Sequence, residues 1–272
     1  MSSPRDPRSD VDLNVPSAAR AYDYFLDGAH NFAVDRAFAQ QVLHIAPSVP
    51  AVARLNRSFL RRVVKFCLEQ GVRQFLDLGS GIPTVGNVHE IAQQIDPGSR
   101  VVYVDYEPVA YAHARQLLAD NPNATIIHAD IRRPTDILDH PDTRRLIDFS
   151  EPVALLMVGV LLFISDDDRP SELVAAYRER LAPGSFLAIS HIASEEAAPE
   201  LQDEVARLVS AYAAADEHVY VRTRQEVLDW FDDGVSLVEP GLVFLPDWRP
   251  DTPVEADSPA RPLGYGGVAE VR

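Results

Sequence analysis

The sequence predicts an α/β protein: a mostly parallel sheet covered by helices on both faces, with an antiparallel edge. Three observations predict it. From Val72 onward, short apolar runs alternate with segments of helical period, the pattern of strand–helix–strand units with right-handed crossovers. Three of these runs end at a carboxylate: Asp77, Asp105 and Asp130. The first run also turns at once through Gly79-Ser80-Gly81, where the missing Cβ lets backbone come close to a ligand.

The elements follow in order. Residues 1–16 carry Pro4, Pro7 and Pro16 among charged residues and read as a flexible arm. A single domain is expected over 17–272. In 17–71 the spacing of Tyr22, Phe25 and Leu26, then of Phe38, Val42 and Ile45, is helical. Pro47 and Pro50 are expected to separate these helices from a longer one over 52–69, which Gly71 ends. All of them precede the first strand and have no place in the sheet, so 17–71 is expected to form a helical lid.

The core is expected over 72–272. Its parallel strands are predicted at 74–78, 100–104, 124–128, 153–158 and 185–190. Helices are predicted at 87–95, from Pro108, and at 169–181, 195–214 and 224–231. Residues 235–245 hold one or two strands. The prolines at 246, 250, 253, 259 and 262 make a loop, and 265–271 is a last strand without a helix before it. The result is a doubly wound, Rossmann-like sheet of seven strands.

Composition narrows the function. A chain with 46% hydrophobic and 24% charged residues can bury a sizeable core without staples. A net charge of −16 opposes a large nucleic-acid surface. The first residues lack the apolar stretch of a leader, and the longest apolar run, 153–164, is too short to span a bilayer. Cys67 is the sole cysteine, so no internal disulfide forms; it reads as a small core residue. A cytoplasmic location is the expectation.

The glycine turn raises the question of which nucleotide-like ligand it serves. A dinucleotide site wants glycine at the first, third and sixth positions. Here the run is Gly79-Ser80-Gly81-Ile82-Pro83-Thr84, so the sixth is threonine, and there is no phosphate-loop lysine. A ligand with ribose and adenine but no phosphate suits the residues better. Asp105 can accept from both ribose hydroxyls, Asp130 from the exocyclic amine of adenine, and Asp77 can hold an ammonium group. A nucleoside joined to a charged amino acid meets all three demands, and S-adenosylmethionine is such a molecule.

At these residues the chain resembles the class I S-adenosylmethionine-dependent methyltransferases. The Asp-Leu-Gly-Ser-Gly turn at 77–81, Tyr-Val-Asp-Tyr-Glu at 103–107 and Ala-Asp-Ile at 129–131 are similar to their first three motifs. The stretches 19–28, 31–36, 56–62, 74–84, 87–90 and 239–243 also resemble a methyltransferase-like family long catalogued as a domain of unknown function. The likeness runs from about Pro16 to Arg272. It implies binding of S-adenosylmethionine, with S-adenosylhomocysteine as product. It implies that Gly79, Ser80 and Gly81 approach the methionine part beside Asp77. Asp105 would hold the ribose, Tyr106 would lie against the adenine or the ribose, Asp130 and Ile131 would border the adenine, and Val158 would face the methionine. It names no substrate.

The acceptor is expected to be a small molecule, with neither nucleic acid nor membrane as partner. Tyr22, Tyr24, His30, Asn31, Phe32 and Arg36 mix aromatic and polar groups in the lid and are candidates for the substrate pocket, although Tyr22 also suits a core contact. His191, at the end of the fifth strand, is the first candidate for a general base and His30 the second. Asp166-Asp167-Asp168 reads as a helix cap, and Arg54, Arg57, Arg61 and Lys65 as a solvated stripe. The histidines show no metal-binding spacing. Two other readings stand beside methyl transfer: a non-catalytic S-adenosylmethionine-binding regulator, and a nicotinamide-dependent oxidoreductase.

Overall fold

A computed structural model of the chain describes residues 14–83, 86–231, 234–253 and 258–272. Thr84 and positions 1–13 of the expected arm lie outside the described residues.

Parallel strands β1 (Gln74–Leu78), β2 (Arg100–Asp105), β3 (Ala124–His128), β4 (Ala154–Val158) and β5 (Phe186–Ile192) form most of the sheet. β6 (Val235–Leu237), the two-residue β7 (Val243–Phe244) and β8 (Gly264–Val271) complete it. The order is β3-β2-β1-β4-β5-β8-β6, with β8 antiparallel to both its neighbours and β7 paired to β8 off that path. The main path therefore has the seven strands and the antiparallel edge expected.

All five residues of β1 are buried, as a strand covered on both faces must be. Its alternate residues serve two layers. Phe75 packs with α3 (Val49–Glu69), α4 (Val88–Ile95) and α5 (Pro108–Leu117). Leu76 and Leu78 pack with α6 (Pro134–Leu138), α7 (Pro141–Leu146), α8 (Pro170–Arg178) and α10 (Arg224–Leu228). α6 and α7 were not anticipated. Each opens on a proline and is too short to display a hydrophobic period.

Two expectations for the lid change. α3 starts at Val49 with Pro50 inside its first turn, where a missing N–H breaks no helical bond, so Pro50 begins this helix instead of interrupting it. α3 also covers the sheet, with Phe59, Val63 and Phe66 in the layer of Phe75. Only α1 (Ala18–Phe25) and α2 (Ala33–Ile45) stand off the strands; they pack with α9 (Pro199–Ala213) through Phe25, Phe38, Val42, Leu208 and Tyr212.

The three aspartates at 166–168 form a 3-10 turn that Ser165 caps. They do not cap α8, which follows Arg169 in a left-handed conformation; Asp166 instead pairs with Arg222. No helix among the described residues is long and apolar enough to cross a membrane.

Strands β1, β2 and β3 progress one way across the sheet, while β4 and β5 lie on the other side of β1. Ligands of such sheets sit at this switch point, outside the carboxyl ends of the strands.

Candidate functional site

The glycine turn leaves β1 toward β2. Gly79 and Ser80 both donate their backbone N–H to the Val104 carbonyl, at 2.8 and 3.1 Å. Gly79 has φ 72° and Gly81 φ 66°. A Cβ on Gly79 would stand 2.2 Å from Val160 Cγ2, so the turn also passes close to the segment after β4.

Asp105 closes this turn from the neighbouring strand. Its Oδ2 accepts from Gly81 N at 2.6 Å and its Oδ1 from Glu107 N at 2.8 Å. Burial pushes its carboxyl up to about 6, against the downward pull of these two amides. Asp77 is 6% exposed, and no hydrogen bond among the described residues reaches its carboxylate. Burial pushes it up to about 7, with Arg57 pulling down and Asp105 pushing up. Ser80 Oγ is buried without a hydrogen-bond partner. Burial raises Asp130 as well, but the fork of Arg132 outweighs it and its pKa falls below the usual range.

These groups surround one cavity of about 490 Å³. Asp77, Gly79, Ser80, Gly81, Asp105, Tyr106, Asp130, Ile131 and Val158 all line it, so every residue expected at the cofactor is brought to one place. Tyr106 stands 58% exposed at its edge. Asp168, Asp216 and Glu217 add acidity, against Arg57 and Arg132. Such a surface repels a pyrophosphate and attracts a cation.

The substrate candidates divide. Tyr22 lines this cavity and also a smaller chamber of about 120 Å³ beside it. Tyr24, His30, Asn31, Phe32 and Arg36 line neither. Asp23, 1% exposed, explains why: its Oδ2 accepts from His30 N and Asn31 Nδ2, both at 2.8 Å. Arg36 donates to the Asn31 carbonyl, and His30 lies against His113 with the rings tilted by 35° and their centroids 3.7 Å apart. The break between α1 and α2 is thus folded on itself by an internal carboxylate and turned away from the cavity.

His191 borders the smaller chamber, not the larger one. Its Nδ1 donates to the Ile192 carbonyl at 2.8 Å, which leaves Nε2 facing Arg222 Nη1 at 3.4 Å. Burial pushes it down to about 4, the Ile192 carbonyl pulls upward and Arg222 pushes further down. Taking up a proton would set two cations together in a buried place, so His191 lacks the setting of a base.

Several cavity residues were not expected at a ligand. Asn56 and Arg57 come from α3, and Glu217, His218 and Tyr220 from the segment after α9. Arg57 belonged to the basic stripe. Its neighbours Arg54 and Arg61 do lie at the surface, paired with Asp27 and Asp251, while Arg57 turns inward. Arg20 ties the lid to this rim: its Nε meets Asp35 at 2.7 Å and its Nη1 meets Glu107 at 2.6 Å, all three buried. Among the described residues no group of three His, Cys, Asp or Glu gathers to hold a metal ion.

Comparison with known proteins accords with this geometry. A family model described as S-adenosyl methyltransferase matches residues 4–272. The crystal structure of a candidate methyltransferase from Thermobifida fusca is 43% identical, with a TM-score of 0.90 over 96% of this chain and 97% of that one. A DUF574 family protein from Streptomyces avermitilis is 37% identical, also with a TM-score of 0.90, over 96% of this chain and 99% of that one. The CurJ carbon methyltransferase is 14% identical at a TM-score of 0.51, over 85% of this chain and 57% of that one, a likeness of fold alone. No curated protein matches the chain.

Proposed function

Because the chain belongs to the S-adenosyl methyltransferase family, we propose that it moves a methyl group from S-adenosylmethionine to a small-molecule acceptor. One observation carries this reading: the cavity at the switch point is lined by six carboxylate residues and only two arginines. It suits an adenosyl compound with a positive amino-acid tail and disfavours NAD, whose pyrophosphate is anionic.

The residues fit that cofactor. Asp77, to which no hydrogen bond among the described residues reaches and whose pKa lies near 7, takes the ammonium group. The Gly79–Gly81 turn, open for want of a Cβ, receives the amino-acid part, and Ser80 Oγ gains a partner there. Asp105 keeps lone pairs for ribose hydroxyls beyond the two amides it already accepts. Tyr106 and Ile131 flank the base, and Asp130, oriented by Arg132, accepts from its amine. When bound, S-adenosylmethionine supplies an activated methyl carbon, so the protein has chiefly to orient the acceptor and exclude water. Val158 and Gly159, leaving β4 at the floor of the cavity, do the first, and α1 with the segment after α9 does the second.

Calorimetry with S-adenosylhomocysteine and NAD in parallel tests this. S-adenosylhomocysteine should bind and NAD should not. Asp105→Ala should weaken S-adenosylhomocysteine by about 1–3 kcal/mol through lost charged hydrogen bonds. Binding of NAD alone, or full affinity in the Asp105 variant, would overturn the assignment.

A further inference from the structure

The smaller chamber lies behind the larger cavity, and the two share Tyr22, Asn56, Gly159, Phe163 and Tyr212 as a common wall. Its interior is otherwise mostly apolar, built from side chains such as Val52, Leu162, Leu208 and Val219. The polar groups at its far end satisfy one another: Glu204 accepts from Ser48 N at 2.7 Å and from Ser48 Oγ at 3.3 Å.

The common wall is different, because a chain of neutral polar groups runs along it. Ser190 Oγ donates to Asn56 Oδ1 at 2.6 Å, Asn56 Nδ2 donates to Tyr22 Oη at 3.2 Å, and Tyr22 Oη donates to the Ala53 carbonyl at 3.2 Å. Burial raises the Tyr22 phenol above its ordinary value, which keeps it protonated. Asn56 uses one of its two N–H groups and one carbonyl lone pair in this chain, so it has one donor and one acceptor left. Gly159 makes room for it: a Cβ there would stand 2.8 Å from Asn56 Nδ2.

We infer that this chamber receives the body of the methyl acceptor, and that Asn56, held by Ser190 and Tyr22, turns the acceptor's polar atom toward the larger cavity. This rests on the methyltransferase reading and adds to it the class of substrate. The acceptor has an apolar body without negative charge, about one six-membered ring in size, with a hydroxyl or similar group at one end. Apolar cavities of about 150 Å³ take up benzene, and this one measures about 120 Å³ and meets a larger space at its wall. An anionic body would be buried there beside Glu204, whose two donors from Ser48 are neutral and leave its charge uncompensated.

The test uses the full chain saturated with S-adenosylhomocysteine. Binding of p-cresol, toluene and 4-methylbenzoate is followed by ligand-observed NMR and calorimetry. p-Cresol should bind, toluene more weakly, and 4-methylbenzoate not detectably. Leu208→Trp, which fills the chamber away from the larger cavity, should weaken p-cresol by about tenfold or more while S-adenosylhomocysteine affinity stays within about twofold. Ser190→Ala, a smaller change that guards against misfolding of the first variant, should weaken p-cresol by roughly threefold to tenfold and leave toluene unchanged. A chain that binds S-adenosylhomocysteine but not p-cresol, or binds 4-methylbenzoate equally well, overturns the chamber assignment alone. So does p-cresol binding that neither substitution weakens. A chain that fails to bind S-adenosylhomocysteine overturns the underlying reading.

Discussion

Asp77 ends up in a costly position: a carboxylate 6% exposed, with no hydrogen bond among the described residues to support its charge. Its folded-state pKa of about 7 lies above the ordinary 3.8, so the folded chain holds this proton more tightly than the unfolded one. The stabilising contribution is complete below about pH 3.8 and is lost as pH rises through about 7. Asp77→Asn removes the titration. The variant should therefore gain on the wild type as pH climbs, by about 1–3 kcal/mol at pH 8 and little at pH 4. Urea denaturation of both proteins without ligand at the two pH values measures the gap; a gap that does not change with pH would show that Asp77 is solvated. At this scale the three strand-ending aspartates were legible because a strand's end can be read from its period. Asn56 and Arg57 were not, because a helix's period says which residues share a face but not what that face meets. His30 and Asn31 misled because Asp23, close in sequence, claims them for the turn itself.

Between elements, close approach decides. Gly79 and Gly81 share a positive φ, yet a Cβ on Gly79 meets Val160 while one on Gly81 meets nothing within 4 Å. Gly81→Ala should cost about 1 kcal/mol for the backbone alone. Gly79→Ala should cost about 2–3 kcal/mol or more, since it also forces β1's turn away from the segment after β4. Parallel urea melts distinguish them, and equal losses would mean that Val160 simply gives way. Arg20 makes the second junction, linking α1 to Asp35 of α2 and to Glu107, whose other oxygen accepts from Ala110 N at the start of α5. Arg20→Met strands two buried carboxylates and should cost about 3–5 kcal/mol. A denaturation midpoint shifted by less than a third of that would show that water replaces the guanidinium. Strand and helix positions were readable because each is set by its own local pattern. The place of α3 was not: its amphipathic stripe fits a lid or a sheet layer equally well, and the choice lies with Phe75 and the strands beside it.

At the scale of the molecule, Cys67 reports on the whole fold. It is fully buried between α3 and the sheet, and burial raises its thiol far above the usual range. Labelling by a thiol reagent should be negligible in the native state and should follow the global unfolding transition in urea. Rapid labelling without denaturant would show that the α3 layer opens by itself. The acidity of the chain has a local counterpart, since the cavity at the switch point shares the sign of the net charge of −16. The alternation of apolar runs with helical segments, and the aspartates and glycines at the run ends, determined by themselves the sheet, its antiparallel edge and the rim where Asp77, the Gly79–Gly81 turn, Asp105 and Asp130 meet, to which the family resemblance added Tyr106, Ile131 and Val158. These are local signals, read from spacing along the chain. Only the tertiary structure decided which side of α3 turns inward, which way the break after α1 folds, and that a second, apolar chamber opens behind Asn56. The last of these depends on groups more than a hundred residues apart, as Asn56 and Ser190 are, and no spacing in the sequence records such a meeting.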